Sequence, residues 1–180
     1  MAERTHFCAS RTSESSSSDL FVSFEPIRIP AILAFVIPLV DKADIRTLIP
    51  HSGTMCLLDG VFRWDDESIV CIANTHRDIS NPLRRDGQLS AVHALEYGAQ
   101  AAAIHGGLRA RAAGTTAPPC YLAALRGAHL HVARLDDLAS PFEVCARRLF
   151  GDAGDTIYQC SISADGIPVA DGRVTIMLRA

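Results

Sequence analysis

The stretch SAVHALEYGAQAAAIHGG, residues 90–107, limits what this chain can fold into more than any other. Its alanines and glycines recur around the whole circumference of a helix and leave no polar face, and a helix of that kind is stable only when surrounded. The pattern predicts a helix over 91–105, with Ser90 as its cap and Gly106 and Gly107 as its stop. Ala94, Gly98, Ala99, Ala101, Ala102 and Ala103 present only small side chains, so a sheet can wrap closely against them. One residue resists this picture. Between Asp86 and Arg109 only Glu96 carries a fixed charge, and an isolated buried carboxylate must either take up a proton or find a partner.

The flanking segments supply the sheet. TMCLLDGVFRW and SIVCIANTH are apolar runs separated by DDE and read as a pair of strands. RDISNPLRRDGQLS is loop, broken by Asn-Pro and Asp-Gly. After the helix, RARAAGTTAPP connects to CYLAALRGAHLHVARL, PFEVCARRLFG, TIYQCSISADG and IPVADGRVTIMLRA, four strand candidates in succession. Asp-Ala-Gly-Asp and Ala-Asp-Gly mark hairpin turns between them. Two strands, one long buried helix and four more strands make an α+β domain, with helix packed against a single antiparallel sheet.

The N-terminus has a different character. ASRTSESSSSDL is low-complexity and polar, and too poor in apolar area to order itself. IPAILAFVIPLV is apolar but interrupted by Pro30 and Pro38, and it falls short of the roughly 20 residues that a membrane-spanning helix needs. It also lacks a basic leader and a cleavage pattern, which argues against a signal peptide. Residues 1–39 are therefore expected to lie outside the functional domain, residues 40–180 to form it, and Val40 is a candidate translation start.

A formal net charge of −3 and 48% apolar residues describe an ordinary soluble domain, with no general affinity for nucleic acid or anionic membrane. The charge is uneven, however: residues 79–150 carry eight Arg against five acids. Of the six cysteines, Cys56, Cys71, Cys145 and Cys160 sit inside apolar runs as small hydrophobes, which points to a reducing, cytoplasmic setting. No Cys-x-x-Cys pair or zinc spacing occurs. His129 and His131 share one face of a strand, and two histidines alone do not define a metal site. No metal and no cofactor is expected.

Glu96 has two readings on the residues themselves: a structural ion pair, or a general acid/base whose pKa is raised in an apolar tunnel. His93 lies one turn before it, Tyr97 beside it and Gln100 one turn beyond. Gln100 is suited to holding a carboxylate or a substrate carbonyl, and His93 to orienting it.

LIPHSGTMCLLDGV at 48–61, followed by ALEYGAQAAAIHGG at 94–107, resembles the hotdog-fold 3-hydroxyacyl-[acyl carrier protein] dehydratases. That family opens with a Leu-Pro-His-x-x-x-Met/Phe-Leu-Leu-Asp segment, and its central helix carries a catalytic Glu followed by a Gln. The matching positions here are 49–59 and 96–100. The resemblance implies a hotdog fold, with a long central helix wrapped by a curved antiparallel sheet. It further implies two protomers pairing their sheets and an acyl tunnel at their interface. The chain departs from the family where a Gly-His-Phe-Pro-Gly segment supplies a second catalytic group. SNPLRRDGQLS stands there instead, with Pro82 in place of the His. This is closer to the divergent branch found in aryl-polyene clusters, where Asn-Pro occupies that loop.

The expected catalytic residues are thus Glu96, with His51 or His93 as second proton carrier. Gln100, Tyr97, Asn81 and Pro82 are the expected substrate contacts. Arg84, Arg85, Arg109 and Arg111 flank the helix and would form a basic rim that steers an acidic acyl carrier protein. The expected activity is dehydration of 3-hydroxyacyl thioesters on acyl carrier protein or coenzyme A, in fatty acid or polyene-type lipid synthesis. The alternatives are a hotdog acyl thioesterase and a non-catalytic hotdog subunit paired with an active partner, in a homodimer or heterodimer. For the N-terminus, peptide mapping of natural material is expected to recover no peptide from residues 1–30.

Overall fold

Along the strand Asp155–Ala164, side chains alternate: Tyr158, Cys160, Ile162 and Ala164 are buried, while Gln159, Ser161 and Ser163 are only partly so. The neighbouring strands repeat this two-residue period, which is what a sheet with one covered face requires. A computed structural model describes residues 37–151 and 155–178. The expected N-terminal extension up to residue 36 and the Asp-Ala-Gly turn at 152–154 lie outside the described residues.

The elements in chain order are β1 (Val40–Asp41), α1 (Lys42–Leu48), β2 (Gly60–Trp64), β3 (Ser68–Ala73), α2 (Ala94–Ala112), β4 (Cys120–Leu130), β5 (Phe142–Gly151), β6 (Asp155–Ala164) and β7 (Ile167–Leu178). The strands form one antiparallel sheet in the order β1-β2-β3-β5-β6-β7-β4. From β3 the chain crosses the sheet as α2 and re-enters at the far edge as β4. The crossing lays the helix on the inward face, against Phe142, Val144 and Ala146 of β5 and the inward residues of β6. Asp165 and Gly166 both take positive φ, 52° and 75°, and close the two-residue β6–β7 hairpin that Ala-Asp-Gly announced. The α+β architecture read from the sequence is the one observed.

The helix boundaries differ from the expected ones. Ala91–His93 is a separate 3-10 turn, so α2 begins at Ala94, and Ser90 makes no side-chain cap. At the other end α2 runs through Gly106 and Gly107 to Ala112. Gly107 is there for contact, because a Cβ at that position would stand 3.2 Å from Leu48 of α1. The helix stops at Gly114, with φ +70°: Gly114 N–H donates to the Arg111 carbonyl and Thr115 N–H to that of Ala110 (3.0 and 2.8 Å), a Schellman ending. α1 is capped by the Asp41 carboxylate, which accepts from Asp44 N–H at 2.9 Å.

The helix covers the sheet incompletely. Leu122, Leu125 and Leu130 of β4 pair with Ile176, Val174 and Ala170 and so share the inward face with them. They nevertheless remain 37, 44 and 46% exposed, while the three β7 residues are buried. Edge strand β4 thus offers an apolar strip and unpaired backbone groups with nothing over them in this protomer. Cys56, Cys71, Cys145 and Cys160 are all free and buried.

Close approach of α2 to β6 is set at Gly98. A Cβ there would lie 2.9 Å from Cys160 Cβ, and the Cys160 thiol points at the Gly98 carbonyl (3.5 Å). Gly98→Val is expected to force the helix off the sheet and to cost about 2 kcal/mol or more, read as a lowered urea midpoint with unchanged m.

Candidate active site

Because α2 starts at Ala94, Glu96 falls in its first turn rather than mid-helix. The positive end of the helix dipole favours an anion there. The carboxylate is partly covered, at 28% side-chain exposure, and both of its close contacts reach Oε1. Gln100 Nε2 donates to it at 3.0 Å, and His51 Nε2 lies 3.3 Å away.

Gln100 is itself buried and committed. Its Nε2 also donates to the Met55 carbonyl (2.9 Å), and its Oε1 accepts Leu57 N–H (3.0 Å). One amide therefore ties the 51–57 loop, which carries His51, to the helix that carries Glu96. His51 Nδ1 is buried without a hydrogen-bond partner among the described residues. With Nε2–H turned to the carboxylate, Nδ1 keeps a bare lone pair.

Burial pushes the Glu96 carboxyl upward. The contacts of His51 and Gln100, with the nearby charges of His51 and His93, outweigh that and hold it below its ordinary value. The raised pKa expected of a greasy tunnel is not found, since two donors meet one oxygen and neutralise the effect of burial. His93 is half-buried; burial first and Arg85 second pull its pKa down, and Glu96 partly opposes them. Its influence on Glu96 is electrostatic.

The other expected contacts serve a neighbouring loop. Tyr97 is fully buried, and its hydroxyl lies 3.1 Å from both Thr75 Oγ1 and Asn81 Nδ2. Asn81 also donates to the Thr75 carbonyl (2.9 Å) and accepts Leu83 N–H (3.0 Å), so its side chain organises the turn that Pro82 follows. Thr75 donates to the Leu57 carbonyl at 2.7 Å. Loop 75–83, the 51–57 loop and α2 are thereby interlocked beneath Glu96.

Nor do the four arginines form one rim. Arg84 spends its donors on the carbonyls of Asp78, Gly87 and His76 and pairs with Asp136 at 3.3 Å. Asp136 is held well below the carboxylate range, by Arg134 above all. Arg85 is exposed beside the α2 start, but Asp78 and Asp86 are exposed in the same loop. Arg109 and Arg111 sit at the opposite end of α2, thirteen residues or roughly 20 Å from Glu96. Arg111 there bonds Thr47 of α1 (3.0 Å). His129 and His131 both bind Asp171, at 3.0 and 2.8 Å, which settles their shared face.

Sequence reasoning missed Thr75 and His76, which stand in the THR turn after β3. It also missed the pair Lys42–Asp59 (2.7 Å), of which Asp59 closes the Leu-Leu-Asp motif. The motif was a usable signal for Asp59; nothing local marked its lysine.

Comparison with known proteins gives the family and the fold. The family described as ApeP-like, ApeP dehydratase, matches residues 43–179, and the chain belongs to it. Its fold is the hotdog fold. Among solved structures, the dehydratase heterocomplex ApeI:P from Xenorhabdus doucetiae aligns with TM-score 0.69 and 22% identity, over 81% of this chain and 93% of that one. A putative thioesterase from Shewanella oneidensis aligns at 0.51 and 15% identity, over 75 and 91%. No curated protein matches the sequence. The chain is thus a hotdog-fold member of the ApeP-like dehydratase family. Among the described residues no helix is long and apolar enough to cross a membrane.

His76, under the same loop, is fully buried, stacked on Phe142 at 3.8 Å and bonded through Nε2 to the Leu138 carbonyl, with Nδ1 unpartnered among the described residues. Burial pulls its pKa down from 6.5 to about 4. Between those values the unfolded chain binds the proton and the folded one does not, so stability falls as pH drops from 6.5 towards 4. His76→Phe is expected to flatten that part of the stability–pH curve, measured by urea denaturation across the window.

Proposed function

We propose that this protein dehydrates 3-hydroxyacyl thioesters carried on acyl carrier protein or coenzyme A, with Glu96 as the proton-transfer group. The observation that carries this reading is the contact set on Glu96 Oε1, where His51 and Gln100 hold a carboxylate ionised and oriented while neither occupies Oε2. An ionised carboxylate acts first as a base. Oε2 takes the C2 proton, and the C2–H electrons move to form the C2=C3 bond as the C3–O bond breaks. The same proton passes from Glu96 to the departing hydroxyl, which leaves as water. One group thus serves both halves of the elimination, which suits a chain without the family's second histidine. His51 and Gln100 orient the carboxylate, and His51 Nδ1 is a spare acceptor for a substrate or partner donor.

The uncovered strip Leu122, Leu125 and Leu130 on edge strand β4 supports a second hotdog chain as the partner. The related ApeI:P structure is a heterocomplex, and we extend that arrangement to this chain. Lipid or polyene synthesis is the pathway class that such substrates serve, and the four buried free thiols fit a reducing cytoplasm.

Glu96→Gln in the purified protein or its complex is expected to lower kcat for 3-hydroxyacyl thioesters by about 10²-fold or more, with little change in KM, followed as enoyl formation. Unchanged turnover would assign the chemistry to the partner. Glu96 titrates below the ordinary glutamate value of 4.5, so kcat/KM is expected to lose activity only at pH values below that. An acidic limb near neutrality would remove Glu96 from the role of base.

A further inference from the structure

Two arginines stand directly opposite one another at the open edge of the sheet. Arg126 of β4 is the register partner of Arg173 of β7, and both are exposed. Their side chains lie on the outer face, because the next pair along, Leu125 and Val174, faces inward. Like charges opposed across a strand pair are destabilising unless an acid joins them. Among the described residues no carboxylate pairs with either. Arg173 Nε donates to the neutral Gln159 Oε1 at 3.3 Å. Asp171, the one acid of β7, has both oxygens taken, by His129 at 3.0 Å and His131 at 2.8 Å. The same rung runs inward through Gln159 to Arg147 of β5, and there an acid is at hand, Glu67 at 3.6 Å. The unanswered charge is therefore confined to the edge.

A second hotdog chain seated on β4 extends this rung by one strand. Suppose that chain were a copy. Antiparallel pairing with full overlap centres on Leu125, the midpoint of Cys120–Leu130. The two Arg126 side chains then fall on diagonal positions, about 7–8 Å apart. Arg173, Arg126 and their counterparts would form a line of guanidinium groups with no acid in it. A chain of different sequence can hold carboxylates at the outward positions facing Arg126, and a guanidinium binds a carboxylate through two parallel hydrogen bonds.

We infer that β4 rejects its own copy and selects a hotdog chain with carboxylates on the outer face of its matching edge strand, Arg126 and Arg173 being the selecting groups. The inference rests on the reading of β4 as the edge for a second hotdog chain, and the chemistry at Glu96 does not enter it. The inward leucines Leu122, Leu125 and Leu130 supply apolar area to any hotdog edge. The outward arginines supply the choice, since like charges set against each other suppress a wrong partner.

The test is sedimentation velocity on the full chain, with a charge-reversed copy, Arg126→Glu/Arg173→Glu, as the probe that stands for the acidic partner. Both positions are exposed, and urea midpoints report that each variant folds. Wild type alone and the reversed copy alone are expected to stay monomeric at low salt. Their equimolar mixture is expected to form a dimer, about tenfold or more tighter than either self-pair. Raising salt to about 1 M, where the screening length is about 3 Å, is expected to weaken the mixed pair. Arg126→Gln/Arg173→Gln removes the charge and keeps the leucines, so it is expected to self-associate more tightly than wild type. Glu96→Gln is expected to change none of these states. Wild type pairing with itself as tightly as with the reversed copy, or a neutral variant no tighter than wild type, overturns the inference and leaves β4 as a hotdog edge. A mixture that stays monomeric overturns both.

Discussion

The side-chain amide of Gln100 is the join on which the site depends. It meets the Met55 carbonyl, the Leu57 N–H and the Glu96 carboxylate at once, and so uses almost all of its hydrogen-bonding capacity inside the protein. Remove it, and the buried Leu57 N–H loses its partner at a cost of about 1–3 kcal/mol, with a smaller loss at the part-buried Met55 carbonyl. The loop that brings His51 to Glu96 would then be free to move. A glutamine expected to face substrate is thus committed to protein groups, among them the carboxylate proposed as the proton-transfer group. Its spacing from Glu96, one helical turn, is what allows the one side chain to serve both purposes.

The same helix explains why a carboxylate survives among alanines. Glu96 stands in the first turn, at the positive end of the helix dipole. The small residues that follow allow contact with β6 at Gly98 and with α1 at Gly107. Tight packing and a polar end are thus properties of different turns of one element. The sheet reaches further than the helix it wraps, and Leu122, Leu125 and Leu130 of β4 stay uncovered beyond it.

Much of this was legible in the amino-acid order. The helix without a polar face, the two-residue period of the later strands and the Asp-Gly turn at 165–166 all point to one helix on an antiparallel sheet, because each is a local consequence of burial or backbone geometry; the hotdog arrangement itself was what the family resemblance implied. The errors have physical reasons too. Gly106 and Gly107 look like a helix stop, since a glycine chosen for contact with Leu48 and one chosen for positive φ are the same letter; the true stop is Gly114. The Glu96 pKa was misjudged because its direction depends on His51, 45 positions away, which periodicity cannot place. The arginine surplus looked like a docking rim, but Arg84 is absorbed by carbonyls and Asp136, and Arg109 lies a helix length away. Tyr97, Thr75 and Asn81 form a triangle of hydroxyls and amide drawn from three segments, and no local pattern foretells it.

A carboxylate held ionised has a direct consequence for the order of events in an elimination. A group with a raised pKa is a ready acid and a strong base, but it is partly protonated before substrate arrives. In the proposed reaction Glu96, stabilised as an anion by two contacts on one oxygen, would be available as a base and would become a strong acid on taking the C2 proton. The thermodynamic drive then lies in the second half of the reaction, delivery of that proton to the hydroxyl. The first half, removal of a weakly acidic C–H, must draw its stabilisation from donors to the thioester carbonyl. In the proposed reaction those donors would have to come from the positive end of α2 or from a second hotdog chain.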